Sequence, residues 1–198
     1  MIFHYPESRN KRRHGPAGYA TYGKYRPWIR DEFYFRCVYC LRRERWSQVD
    51  HEYDLDHLQP RSLSPDQSLD YQNLYYACSR CNGVKRAQTI DDPMATLVGE
   101  KVDVLDDGSL LTADTATERM ICVLDLNSPR MIAWRRMWIE VCKLAMSNEP
   151  ELLQLLLGFP DDLPNLRKLR PPGGNARPEG IAECCFARRQ NGDLPKLY

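Results

Sequence analysis

The chain lacks any long hydrophobic run. Its most apolar stretch, Leu152 to Phe159, is broken by Gln154, well short of the roughly 20 apolar residues that a membrane-spanning helix needs. The opening residues, MIFHYPESRNKRRHGP, lack the apolar block of a secretory signal. An excess of charge of one sign is also missing. Lys and Arg number 28 against 27 Asp and Glu, a net charge of +1, so bulk charge points to no polyanion partner and any nucleic-acid surface has to be local. There is no Walker-type phosphate-binding loop, so ATP use would have to come from another chain. Internal repeats and long low-complexity tracts are absent too. What remains, 42% hydrophobic and 28% charged residues over 198 positions, is the composition of a soluble globular chain with room for one domain and an appendage or two small domains. The expected compartment is the cytoplasm, with no membrane partner.

Charge is unevenly spread along the chain. Residues 1–50 carry 11 basic and 5 acidic residues, and residues 91–118 carry 1 basic and 8 acidic. The front is thus a basic arm: Arg9, Lys11, Arg12, Arg13, Lys24, Arg26 and Arg30 interleave with Tyr19, Tyr22, Tyr25 and Trp28. Such a mixture holds phosphates by charge and bases by stacking; a poorly ordered, soluble terminus has the same composition.

The coarse pattern predicts a helix over Trp28 to Arg36, a strand over Tyr53 to Leu58 and a helix over Cys78 to Gln88, with a long polar loop through Pro60, Pro65 and Ser62 to Ser68. Thr115 with Glu118 has the form of a capping box, and Asn127-Ser128-Pro129 closes one helix and opens the next. From Pro129 to Ser147, Met131, Trp134, Trp138, Val141 and Ala145 form an amphipathic stripe, so Trp134 and Trp138 are expected in the core. A further helix covers Glu149 to Leu157, closed by Gly158, and the tail from Arg170 reads as a linker. The stripe either packs within the chain, which is the expectation here, or faces a partner or a second copy in a homodimer.

Eight cysteines separate by spacing. Cys37 with Cys40 and Cys78 with Cys81 form two C-x2-C pairs with 37 residues between them, the pattern of a closed, structural four-cysteine Zn²⁺ site. Cys122 and Cys142 are expected to be small buried hydrophobes, and adjacent Cys184 and Cys185 cannot easily share one tetrahedral ion; none of these four is assigned a role.

Between the pairs run Leu55-Asp56-His57-Leu58-Gln59-Pro60, then Asn73, and then Cys81-Asn82-Gly83-Val84-Lys85. This arrangement resembles the HNH endonucleases of the ββα-metal fold, in the subset whose ββα unit is bracketed by a four-cysteine zinc site. The spacing of Asn73, Asn82 and Lys85 is similar to that of the HNH domain of RNA-guided DNA nucleases, where asparagine replaces the final histidine. The resemblance covers about residues 37–90. It implies an α+β fold with a small ββα-metal core, and three parts: a basic arm at 1–26, a nuclease domain with zinc knuckles at 27–95, and a mainly helical extension with a coil tail at 96–198.

The implied activity is metal-dependent hydrolysis of DNA phosphodiester bonds, by nicking or by double-strand cutting. A neutral imidazole accepts a proton from water near neutral pH, and His57 takes that role. Asp56 and Asn82 offer hard oxygen ligands for Mg²⁺ or Mn²⁺. Asn73 ties the loop to the strand and orients the base, while Lys85, Arg86 and Arg61 meet phosphates. Asp50-His51 is a second Asp-His pair, but it lacks the Leu-x-Pro and the spaced asparagines that follow, so His51 reads as a strand residue near the knuckle. In a regular strand Asp56 and His57 point to opposite faces, so joint use demands a twist, bulge or strand end. An alternative function is a zinc-stabilised nucleic-acid-binding module without catalysis; a third is the nuclease component of an antiviral defence or restriction system, with an ATPase or other subunit choosing the target.

Overall fold

The structure, a computed structural model, describes residues 2–8, 11–46 and 52–198. Arg9 of the arm and the Asp50-His51 pair lie outside the described residues. In chain order the regular elements are α1 (Arg26–Glu32), β1 (Tyr53–His57), β2 (Leu74–Cys78), α2 (Ser79–Lys85), α3 (Pro93–Thr96), β3 (Asp103–Val104), β4 (Leu110–Leu111), α4 (Thr115–Val123), α5 (Pro129–Asn148), α6 (Pro150–Leu157) and α7 (Cys185–Asn191). The fold is α+β. β1 and β2 pair antiparallel, with Tyr53 opposite Cys78 and His57 opposite Leu74, and β3 and β4 form a second two-stranded sheet.

β1, β2 and α2 are the frame of the site. A two-stranded hairpin is marginal alone, and every residue of β2 is buried, so this one is covered on both faces. The first cysteine turn grips it through Val38 N–H to Tyr76 O at 2.9 Å, and Ser79 at the start of α2 reaches back to Glu52 O at 2.8 Å. The turn is closed by Cys37 N–H to Arg42 O at 2.8 Å. Leu41, at its end, adopts φ of 61°.

Several elements end elsewhere than the sequence pattern predicts. The helix expected over Trp28 to Arg36 runs from Arg26 to Glu32, because Tyr34 and Phe35 take positive φ values of 51° and 58°, which no α-helix accommodates. α2 stops at Lys85, where Arg86 turns to φ of 51°. α4 is capped not by Thr115 but by Asp114, whose carboxylate accepts from Thr117 N–H at 2.9 Å. In α5 the buried residues are Met131, Arg135, Ile139, Cys142 and Ala145, a stripe rotated by one residue from the expected one. Trp134 and Trp138 flank it half-buried, and Val141 is exposed. The rotation follows from Trp46, whose ring stacks on Trp138 at 4.3 Å and meets Trp134 edge-on at 5.8 Å, so the two tryptophans cover the seam from one side.

The basic arm is not loose. Arg12 and His14 are buried: the Arg12 guanidinium donates to Leu74 O at 2.7 Å and lies over the Tyr75 ring at 4.5 Å. Nor is the tail a linker. Ala17 and Gly173 exchange backbone hydrogen bonds with the opposite strand of chain, Ala17 N–H to Gly174 O and Gly173 N–H to Ala17 O, both at 2.9 Å. Gly18, at φ of 82°, permits this approach, since a Cβ there would lie 2.3 Å from Gly173 N. Residues of the arm, the ββα frame, α4, α5 and α7 all enter one buried cluster. Cys142, Cys184 and Cys185 are buried as small apolar groups, whereas Cys122 faces solvent, contrary to expectation, because it lies on the outer side of α4. Among the described residues no helix is long and apolar enough to cross a membrane.

Candidate active site and zinc knuckle

The C-x2-C turn before β1 and the C-x2-C at the β2–α2 junction bring Cys37, Cys40, Cys78 and Cys81 together, their sulfurs all within 4.8 Å of one another and all four residues buried. Cys40 Sγ and Cys78 Sγ are 3.7 Å apart. A tetrahedral Zn²⁺ with bonds of about 2.3 Å requires sulfur–sulfur edges of about 3.8 Å, so the cluster fits a structural zinc site. Thiolates this close repel one another unless a dication holds them; Arg42, Arg80 and Arg130 line the adjacent surface beside Cys40 and Cys78, Arg42 and Arg80 being ion-paired with Glu52 and Asp125.

Next to this knuckle, strand alternation separates the carboxylates of β1 from its histidine. Asp54 and Asp56 face α2. Asp54 accepts from Asn82 Nδ2 at 3.0 Å, and Asp56 accepts from Tyr39 Oη at 2.5 Å on one oxygen and from Lys85 Nζ at 3.0 Å on the other. Lys85 Nζ also donates to His57 O at 2.6 Å. Burial pushes the Asp56 carboxyl up from its ordinary value, with Lys85 and Tyr39 opposing.

His57 ends the strand and turns the other way, toward the loop. Its Nε2 lies 3.0 Å from Ser68 O. A carbonyl only accepts, so Nε2 carries the proton and Nδ1 the lone pair. Burial holds the imidazole below its usual range, with the Ser68 carbonyl opposing. That favours a neutral ring at neutral pH.

Asn73 closes the loop behind it. Its Oδ1 accepts from Gln59 N–H at 2.7 Å, and its Nδ2 donates to Gln59 O and to Gln67 O, each at 3.1 Å. These bonds fix both ends of the segment that presents Ser68 O. Residues 37–88 match the model of the HNH endonuclease family. No curated protein matches the chain. The match supports a nuclease of the HNH family, and the HNH segment coincides with the zinc knuckle, β1, β2 and α2.

The structure thus brings Asp56, His57 and Asn73 into one strand-and-loop unit and sets Asn82 opposite Asp54 on α2. Lys85 is placed otherwise than expected. Fully buried in its ion pair with Asp56, it is not in reach of a solvent-side phosphate, because the last turn of α2 leans its side chain under β1. Arg86, at the helix end, is exposed, and the Arg61 guanidinium lies over the Tyr22 ring at 5.2 Å. Asp54 escaped the sequence reading, although its spacing two residues before Asp56 puts both on one strand face. Asn82 and Asp56 carry the oxygen donors that Mg²⁺ or Mn²⁺ takes: the Asn82 nitrogen is spent on Asp54, which leaves the amide oxygen, while Asp56, on the strand face toward α2, has both oxygens engaged by Tyr39 and Lys85, bonds that a metal there would have to share or displace.

Proposed function

We propose that the protein is a metal-dependent HNH endonuclease that hydrolyses DNA phosphodiester bonds, with its nuclease unit at residues 27–95, held by the arm at 1–26 and the extension at 96–198. The observation that carries this reading is the His57–Ser68 contact at 3.0 Å. It orients an uncharged imidazole with Nδ1 available as a base. His57 takes a proton from the attacking water, whose oxygen bonds to phosphorus as the bond to the 3′ oxygen breaks; the departing 3′ oxygen takes a proton from solvent water, leaving a 5′-phosphate and a 3′-hydroxyl. Asn73 keeps the base oriented through Gln59 and Gln67. Asp56 and Asn82 would hold Mg²⁺ or Mn²⁺, which when bound supplies neutralisation of the charge that grows on the phosphate. Arg61 and Arg86 contact the DNA backbone; Lys85 serves instead by pinning Asp56 and the His57 carbonyl.

Target choice is assigned to a partner, such as an ATPase subunit of an antiviral or restriction system in the cytoplasm. The exposed apolar residues Met137 and Leu144 of α5 and Leu155 of α6 offer a surface for that subunit or a second copy. One observation favours a different reading: Tyr39 and Lys85 already occupy both Asp56 oxygens, as would suit a zinc-stabilised nucleic-acid-binding module without catalysis. Cleavage of supercoiled plasmid in Mg²⁺ or Mn²⁺ separates the two. Wild type is expected to give nicked or linear product, and His57→Ala at equal zinc content to lose at least about 100-fold in rate. Retained cleavage by His57→Ala would remove the assignment of the base, and DNA binding without any cleavage by wild type would establish the module.

A further inference from the structure

His57 is held on one side by the Ser68 carbonyl, and its ring is walled on another by a residue far outside the HNH segment. Tyr22 lies edge-to-face on the imidazole, with ring centroids 5.0 Å apart at an interplanar angle of 76°. It belongs to the short 3-10 turn Tyr22–Tyr25 before α1, and that turn is anchored by Tyr25, which is 1% exposed, and by fully buried Trp28. The Arg61 guanidinium, from the loop after β1, sits over the Tyr22 ring at 5.2 Å. Tyr22 thus contacts both the imidazole and the Arg61 guanidinium, from a turn that the ββα frame does not supply.

We infer that Tyr22 is a positioning residue for His57, brought to the site by the N-terminal segment and backed by Arg61. This rests on the nuclease reading above. One hydrogen bond leaves an imidazole free to swing about its Cβ–Cγ bond whenever that bond opens. An aromatic wall on the ring removes the space to swing into, so Nδ1 keeps one direction. The contact is a ring contact, so the phenol oxygen is not required and phenylalanine substitutes for tyrosine. It also makes the N-terminal segment part of the site, so the HNH segment alone is incomplete.

The test compares wild type, Tyr22→Leu and Tyr22→Phe, with zinc content as the check on folding and Tyr22→Met in place of the leucine variant should that not fold. Cleavage of supercoiled plasmid in Mg²⁺ should show kcat about two- to tenfold lower for Tyr22→Leu, the size of one aromatic contact, with KM unchanged and kcat restored in Tyr22→Phe. In ¹H–¹³C spectra the His57 ring protons should lose their ring-current displacement in Tyr22→Leu and keep it in Tyr22→Phe. An unchanged kcat in Tyr22→Leu, a fall confined to KM, or a phenylalanine variant as slow as the leucine one would each overturn the assignment. Should wild type cut nothing, the nuclease reading fails by itself. The ring-proton shifts then decide separately whether Tyr22 holds His57, and unchanged shifts in Tyr22→Leu would end that inference too.

Discussion

Lys85 shows how a single side chain can change its meaning between sequence and structure. One turn past Asn82, after a cysteine pair, it reads as a phosphate contact. Folded, its ammonium is buried against Asp56 Oδ1 at 3.0 Å and the His57 carbonyl at 2.6 Å, and it becomes the counter-charge that lets a carboxylate exist under β1. Removing one partner of such a pair strands the other, so Lys85→Met should destabilise the protein by about 3–5 kcal/mol, read as a lowered urea midpoint. Adding Asp56→Asn to that background should lose less than the two single losses combined, because the stranded charge is then gone. Equal and additive losses would mean that the pair is not coupled as the distances imply. Asn73 differs. Its three hydrogen bonds stay within the stretch from Gln59 to Asn73, a local tie of the kind that the resemblance to HNH endonucleases implies for it.

At the scale of elements, β1, β2 and α2 cannot bury enough apolar surface on their own, and the cysteine cluster joins the turn before β1 to the junction of β2 with α2. Zinc-binding free energies of about 10–16 kcal/mol in small finger peptides show how far such a clip can drive folding. Cys78→Ser should therefore lower the zinc content below one ion per chain and abolish hydrogen-exchange protection at the Val38 and Ser79 amides, which donate to Tyr76 O and Glu52 O and so join the turn, the strand and the helix. Protection that survives zinc loss would show that the hairpin stands on its packing alone. β1 and α2 were legible from local pattern, and C-x2-C, Asp-His and the spaced asparagines are short-range enough to carry the resemblance that alone implied the second strand, β2. The phase of α5 was not: Met131, Trp134 and Trp138 do recur at helical spacing, but which side of that arc is innermost depends on Trp46, more than 80 residues away in sequence. Likewise the contact of Asp54 with Asn82 became visible only once α2 was docked, since nothing local says that the two face each other.

Across the whole molecule, the contacts least accessible to sequence reasoning join the N-terminal arm and the last helix to α1. Asp31, on α1, accepts from His14 Nε2 at 2.9 Å and from Cys185 N–H at 2.7 Å, and its carboxylate lies 3.0 Å from Arg13 Nη2. Arm, first helix and last helix thus converge on one fully buried carboxylate. Residues 154 positions apart leave no periodicity to read, which is why a basic arm and a proline- and glycine-rich tail looked unattached. Burial alone would push the Asp31 carboxyl up, but the His14 hydrogen bond and the Arg13 charge outweigh it and hold the group below its ordinary value of 3.8. A carboxyl held lower in the folded than in the unfolded chain contributes stability that is fully present above the unfolded value and is lost as pH falls toward the folded one. Asp31→Asn, which keeps the shape and removes the charge, should accordingly be less stable than wild type at pH 7 by about 3 kcal/mol. The gap between their urea midpoints should close as pH drops below about 4, because wild type then gives up the same interaction by protonation. A gap that stayed constant down to pH 3 would mean that shape, not charge, joins the two ends of this chain to α1.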